Sequence, residues 1–263
     1  MRIINYKMTN RGLCCELNSL LGIYQEQRQL RDLIYVDSTD SVYFKGISIQ
    51  DIFEFKDFPF VNSLPISNNH QIVSANDYRK YARKKYLFEI DSEEINKALK
   101  YTEDSKKIIQ NNIDKLNLPK VYVCIHIRRG DKVLEKPQAP KMGNKPESLR
   151  YEFKDYFNAI GEKSKNVFIM SDDYKSIAEA KQYIQENNLN HKLFYLTNES
   201  QDGHCTEIDK DTNRIYTKLE ILMFFTEIEI AKQSECFIGT KSSNVFRFIK
   251  ATSSATLKFT TLD

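Results

Sequence analysis

Along the second half of the chain, short apolar runs alternate with amphipathic stretches. Residues 121–127 (VYVCIHI), 166–170 (NVFIM), 192–196 (KLFYL), 235–239 (ECFIG) and 255–260 (ATLKFT) read as short buried strands. Helical patterns fall between them near 147–161, 173–187, 217–233 and 243–251. This β-α-β-α order predicts a parallel, doubly wound sheet with right-handed crossovers. The first half is less regular. Residues 2–6 and 32–36 read as strands joined by a helix over about 15–29, and 45–68 reads as irregular loops. A polar helix, or a pair of helices, is expected over 92–116. Leu118-Pro119 then breaks the pattern, so the chain divides into a 1–118 half and a 119–263 half.

Composition changes this picture little. Hydrophobic residues make up 41% of the 263 positions, ordinary for a folded domain with a core. A net charge of +3 signals no dedicated nucleic-acid surface. The opening MRIINYKMTNRG lacks an apolar leader, and no stretch reaches membrane-spanning length, so no membrane anchor is expected. Of the five cysteines, Cys124 and Cys236 sit in strand-like runs as small hydrophobes, and none is paired in a metal spacing. Together these features predict a cytoplasmic protein.

The chemistry gathers where the strands end. In doubly wound sheets, ligands bind beyond the carboxyl ends of the strands. Three polar clusters fall there: His126-Ile127-Arg128-Arg129-Gly130-Asp131-Lys132, Ser171-Asp172-Asp173, and Gly239-Thr240-Lys241-Ser242-Ser243-Asn244. Adjacent arginines after a buried strand call for an anion, and a guanidinium fork suits phosphate oxygens. Because side chains alternate along an extended chain, one of Arg128 and Arg129 should face the phosphate and the other an acid such as Asp131. His126 lies on the Arg128 face, either as a ligand contact or as a core histidine. The run after Gly239 offers backbone N–H groups and a helix N-terminus to an anion, while Ser242 or Ser243 also makes an ordinary helix cap. One of Asp172 and Asp173 should cap the following helix, leaving the other for the crevice.

Glu227 stands out on its helix, because Met223, Phe224, Ile230 and Ala231 surround it. A carboxylate there needs a donor: a Lys or Arg, or the paired N–H groups of a guanine base. Asp209-Lys210-Asp211 lies in a polar run and reads as solvated. No His, Asp or Glu group has metal-ligand spacing, so no metal or other cofactor is expected.

Four ordered motifs give the chain a resemblance to the GDP-fucose-dependent α-1,6-fucosyltransferases, including the nodulation-factor and N-glycan core enzymes. They are HIRRGD at 126–131, Ser-Asp-Asp at 171–173, GTKSSNVFR at 239–247 and FTTLD at 259–263. RGLCCELNSLL at 11–21 is similar to the family's nucleotide-contacting loop and helix. The resemblance implies a GT-B-like α/β enzyme with two facing halves, the second of Rossmann type, that transfers fucose with inversion and without a metal. It assigns Arg128 to the diphosphate, with Arg129 its essential neighbour. Gly12, Leu13, Cys14, His126, Arg214, Glu227, Thr240, Ser242, Ser243 and Asn244 would complete the donor site, Glu227 standing where the family has a guanine-reading aspartate. Glu135 would be the base, organised by Asp131 and Lys132, although it lies one residue nearer the motif aspartate than in the family. Asp172 or Asp173 would meet the sugar or a loop. The donor would be GDP-fucose and the acceptor a glycan or other hydroxyl compound. A transferase using another GDP-sugar, a non-catalytic GDP-sugar binder and an arginine-rich nucleic-acid module are the competing readings.

Overall fold

The computed structural model describes residues 3–55, 59–61, 70–74, 92–129, 151–201, 203, 212 and 214–263. They fall into two units, one of Met1–Ile109 with Thr206–Leu222 and one of Gln110–Cys205 with Met223–Asp263.

The first unit is organised by a βαβ element. Strand β1 (Ile3–Lys7) leads into helix α1 (Leu13–Leu30), and β2 (Leu33–Asp37) returns parallel to β1. Leu13, Leu17, Leu20, Leu21 and Tyr24 repeat at helical spacing and are all buried, the stripe that seats α1. The helix stops at Arg31, whose left-handed φ of 59° lets its N–H reach Gln27 O. A two-residue strand β3 (Phe53–Glu54) follows, and β4 (His70–Ser74) then pairs parallel with the free edge of β1. The sequence pattern did not announce β4, a five-residue strand that owes its state to the neighbour beside it. The polar 92–116 region resolves as two helices, α2 (Ser92–Ala98) and α3 (Glu103–Leu116). Strand β5 (Lys100–Tyr101) separates them by pairing antiparallel with β3. The Thr102 N–H donates to Ile52 O at 2.9 Å, and its hydroxyl accepts from the Ser105 N–H at 3.2 Å, so one residue ends the break and starts α3.

The second unit has the predicted alternation: β6 (Val123–Ile127), α4 (Phe153–Ile160), β7 (Asn166–Ser171), α5 (Tyr174–Glu186), β8 (Lys192–Tyr195), α6 (Lys218–Gln233, of which Met223 onward belongs to this unit), β9 (Cys236–Gly239), α7 (Asn244–Thr252) and β10 (Lys258–Thr261). All five strands are parallel, in the spatial order β10-β9-β6-β7-β8. The chain winds outward from β6 through β7 to β8, then resumes on the other side of β6 with β9. The order therefore reverses between β6 and β9, and in sheets of this class a crevice opens there at the carboxyl ends.

The two sheet faces are covered by different helices. Val123, Ile125, Ile127, Val167, Ile169 and Ile238 pack with Tyr156, Phe157 and Ile160 of α4 and Ile177 and Ala180 of α5. On the other face Phe237 packs against Phe246 of α7. Burial on both faces explains why these strands read as continuous apolar runs. Among the described residues, no helix is long and apolar enough to cross a membrane.

Candidate functional site

Strand β6 sorts its side chains by parity. Odd positions face α4 and α5, and even positions face the α7 side, where Cys124 is paired in register with Phe237. His126 extends the even row, its ring stacked on Phe237 at 6.3 Å. Its Nδ1 is buried and makes no hydrogen bond among the described residues. Burial and then the nearby Arg128 charge push the imidazole down to about 3, so His126 is neutral throughout the physiological range. A Cβ on Gly239 would come 3.2 Å from the Phe246 ring and 3.4 Å from His126 Cβ. A side chain at the end of β9 would therefore crowd the Phe246 ring and the His126 Cβ.

The arginines part as alternation requires, but both meet acids. Arg128 ion-pairs with Asp172 at the end of β7. The other Asp172 oxygen accepts the Arg129 N–H at 2.9 Å, so one carboxylate holds the motif by side chain and backbone. Arg129 turns to the α4 and α5 face, where it is buried, 5.8 Å from the Phe153 ring centroid and 3.9 Å from Glu179. Asp131, expected to be an acid partner, lies outside the described residues, as do Lys132, Glu135 and the Asp209-Lys210-Asp211 run. Asp173 is the helix cap, accepting from the Lys175 N–H at 2.9 Å, while Asp172 is engaged by Arg128 and by the Arg129 N–H.

The loop after β9 carries buried Thr240, Ser242 and Ser243. Ser243 caps α7, its hydroxyl accepting from the Val245 N–H at 3.2 Å. The sequence pattern offers the N–H groups of this loop to an anionic ligand. Two of them are otherwise engaged: Lys241 N–H donates to Asp263 Oδ1 at 2.6 Å and Ser242 N–H to Asp263 Oδ2 at 3.1 Å. A third, the Ser243 N–H, closes a turn onto Thr240 O at 3.0 Å. Arg247 grips the loop's carbonyls, donating to Lys241 O at 3.3 Å and to Ser242 O. Asn244 is the first residue of α7.

Glu227 is buried in α6 beside Cys124, whose thiol is pushed up by burial and by that carboxyl. No Lys or Arg pairs with it among the described residues, and burial raises it to about 8. Desolvation thus favours its protonated form.

The remaining candidates belong to the first unit. Gly12 precedes α1, and among the described residues a Cβ there would meet nothing within 4 Å. Leu13 and Cys14 are buried in the first turn, the Cys14 thiol pushed upward by burial. Arg214 lies 4.5 Å over the Tyr216 ring and 3.2 Å from Glu220. Sequence reasoning missed Glu16, a fully buried carboxyl that accepts from Tyr6 Oη at 2.9 Å and Thr9 Oγ1 at 2.6 Å. These bonds tie the segment before Gly12 back onto β1. The signal was present, since Glu16 shares a helical stripe with Leu13 and Leu20 just as Glu227 does with its neighbours. Asp263, the last residue of the FTTLD run, carries no local signal of its bonds to Lys241 and Ser242.

No protein-family model and no curated protein matches the chain. Solved structures do. POFUT1 in complex with GDP-fucose is 13% identical, covers 98% of this chain and 97% of its own, and superposes with a TM-score of 0.56. NodZ α-1,6-fucosyltransferase soaked with GDP-fucose is 11% identical, with 96% of this chain and 92% of its own covered at a TM-score of 0.57. The fucosyltransferase NodZ from Bradyrhizobium gives 11%, 95% and 91% coverage and 0.53. The chain thus has the GT-B-like α/β fold of these fucosyltransferase structures.

Proposed function

We propose that this protein is a glycosyltransferase that moves fucose from GDP-fucose to an acceptor hydroxyl. One observation carries the reading: Arg128 after β6 and the Thr240–Asn244 loop after β9 flank the reversal of strand order. A diphosphate at that crevice would meet a guanidinium, loop hydroxyls and a helix N-terminus together. The shared fold with GDP-fucose-bound structures supports the same donor, and HIRRGD favours the α-1,6 group.

In this mechanism, departure of GDP builds negative charge on the diphosphate, and Arg128 stabilises it. Arg128 has five N–H donors, enough to keep Asp172 and still take a phosphate oxygen. No metal is needed for that charge. Glu227 accepts the two N–H groups of guanine, and neutral His126 borders the nucleotide. Glu135 takes the proton of an acceptor hydroxyl that attacks the anomeric carbon from the face opposite GDP, giving inversion. Asp131 and Lys132 organise that base.

A thermal-shift panel of GDP, GDP-fucose, GDP-mannose and UDP-sugars, followed by transfer assays with the stabilising donor, tests the proposal. GDP-fucose should stabilise most and support transfer in the presence of a chelator. Stabilisation by UDP compounds and not by GDP would remove the guanine reading of Glu227. Tight GDP binding without transfer or donor hydrolysis would leave a binding protein and no enzyme.

A further inference from the structure

We infer that Asp263 is a positioning residue for the diphosphate loop, an inference that rests on the donor site proposed above. Its carboxylate takes two consecutive backbone N–H groups, from Lys241 at 2.6 Å and Ser242 at 3.1 Å. Consecutive backbone N–H groups converging on one point form an anion cradle, the type of feature a phosphate would otherwise enter. Here a carboxylate of the chain itself fills it.

The geometry makes Asp263 a fixture. Strand β10 pairs with β9 to the last rung, Thr261 opposite Gly239, and the Leu262 N–H donates to Gly239 O at 3.0 Å. Sheet pairing therefore carries Asp263 to the level of Lys241 and Ser242. Arg247, one turn into α7, donates to Lys241 O and Ser242 O. The Thr240 O to Ser243 N–H turn closes the third side at 3.0 Å. The loop is thus fixed through its N–H groups by β10, through its carbonyls by α7, and internally by its own turn.

This arrangement changes what the loop offers a donor. The Lys241 and Ser242 N–H groups serve Asp263, and the Thr240 and Ser242 hydroxyls beside them are left for the diphosphate. Loss of the carboxylate would free both N–H groups, loosen the turn, and misplace those hydroxyls by enough to weaken phosphate binding. The nucleoside, read by Glu227 on α6, would be unaffected.

The test compares the wild-type chain with Asp263→Asn and Asp263→Ala. An asparagine oxygen can accept one of the two N–H groups, but its NH₂ cannot accept the other. Calorimetry with GDP and with guanosine should show GDP affinity falling at least tenfold in Asp263→Ala and less in Asp263→Asn, with guanosine affinity unchanged. Hydrogen exchange should show the Lys241 and Ser242 amides protected in the wild type and fast in Asp263→Ala. Equal losses for GDP and guanosine, or unchanged amide protection, would overturn the inference. A wild-type chain that shows amide protection but binds no GDP would sink the donor reading and with it the positioning role, while leaving Asp263 as a purely structural staple.

Discussion

Arg128 and Asp172 form an ion pair that joins the ends of the adjacent strands β6 and β7, each side chain 18% exposed. The second oxygen of the same carboxylate receives the Arg129 N–H at 2.9 Å. Asp172 therefore fixes the direction in which Arg128 leaves the sheet before any ligand arrives. Preorganisation of this kind lets a guanidinium stabilise developing charge without first paying to be oriented.

Replacing Arg128 with Ala should reduce transfer by about two to three orders of magnitude, the usual cost of removing one charge-stabilising donor. The fold should persist, because the arginine is only partly buried and Asp172 still holds the Arg129 N–H. Circular dichroism alongside a donor-saturated rate measurement checks both halves. A folded variant with near-normal turnover would contradict the central role of Arg128.

Glu227 should make the protein less stable as pH rises. The folded chain holds this proton up to about 8, whereas the unfolded chain releases it near the ordinary 4.5. Between those values the native state binds more protons, so stability falls with increasing pH. Glu227→Gln should flatten that slope in urea titrations at pH 5, 7 and 9. If guanine donates to the carboxylate, GDP binding must also release a proton below about pH 8. Calorimetry in buffers of different ionisation enthalpy reads that proton directly.

His126 acts in the opposite sense. Its folded value of about 3 lies below the usual 6.5, so the unfolded chain takes up the proton first on acidification. The stability it contributes is complete above pH 6.5 and is lost progressively down to about 3. His126→Phe, stacked on Phe237, should remove part of this acid sensitivity. An unaltered acid limb in the unfolding curve would count against a buried neutral imidazole.

Gly239→Ala should cost about 1–3 kcal/mol, the usual penalty for overpacking. The new methyl would press on the Phe246 ring and on His126 at once. Chemical denaturation measures the cost, and a further variant, Phe246→Leu, should relieve much of it.

Glu16→Ala should destabilise the first unit by about 0.5–1.5 kcal/mol, because Tyr6 Oη loses the carboxyl acceptor and keeps only the Glu16 main-chain oxygen at 3.0 Å. Thr9 is released at the same time, which should raise protease sensitivity before Gly12. Glu16→Gln keeps an acceptor and should fall between the two. Limited proteolysis with a thermal melt distinguishes the three chains.

The readable parts of the sequence were those governed by local pattern. Five strand-like runs announced the five parallel strands; β6, β7 and β9 are buried nearly throughout and read as mostly apolar runs, while the edge strands β8 and β10 are only partly buried. Parity along β6 separated Arg128 from Arg129, and the apolar stripe around Glu227 announced a buried carboxyl. Capping chemistry narrowed the helix caps to Asp172 or Asp173 and to Ser242 or Ser243, since a side chain bonding two residues ahead is a local event, and the structure selects Asp173 and Ser243. Strand β4 was hidden, because its pairing partner β1 lies more than sixty residues away. The tasks of Asp172 and Asp263 were hidden for the same reason, one bonding across strands and the other across the sheet edge.

By itself, then, the sequence determined the strand and helix alternation, the placement of polar clusters at strand ends and the burial of Glu227. Each follows from periodicity or from the immediate neighbours of a residue. Only the tertiary structure decided that strand order reverses between β6 and β9, and that carboxylates from β7 and beyond β10 already occupy Arg128 and the loop N–H groups. Those are pairings between distant segments, set by which strands lie side by side, and no local periodicity encodes them.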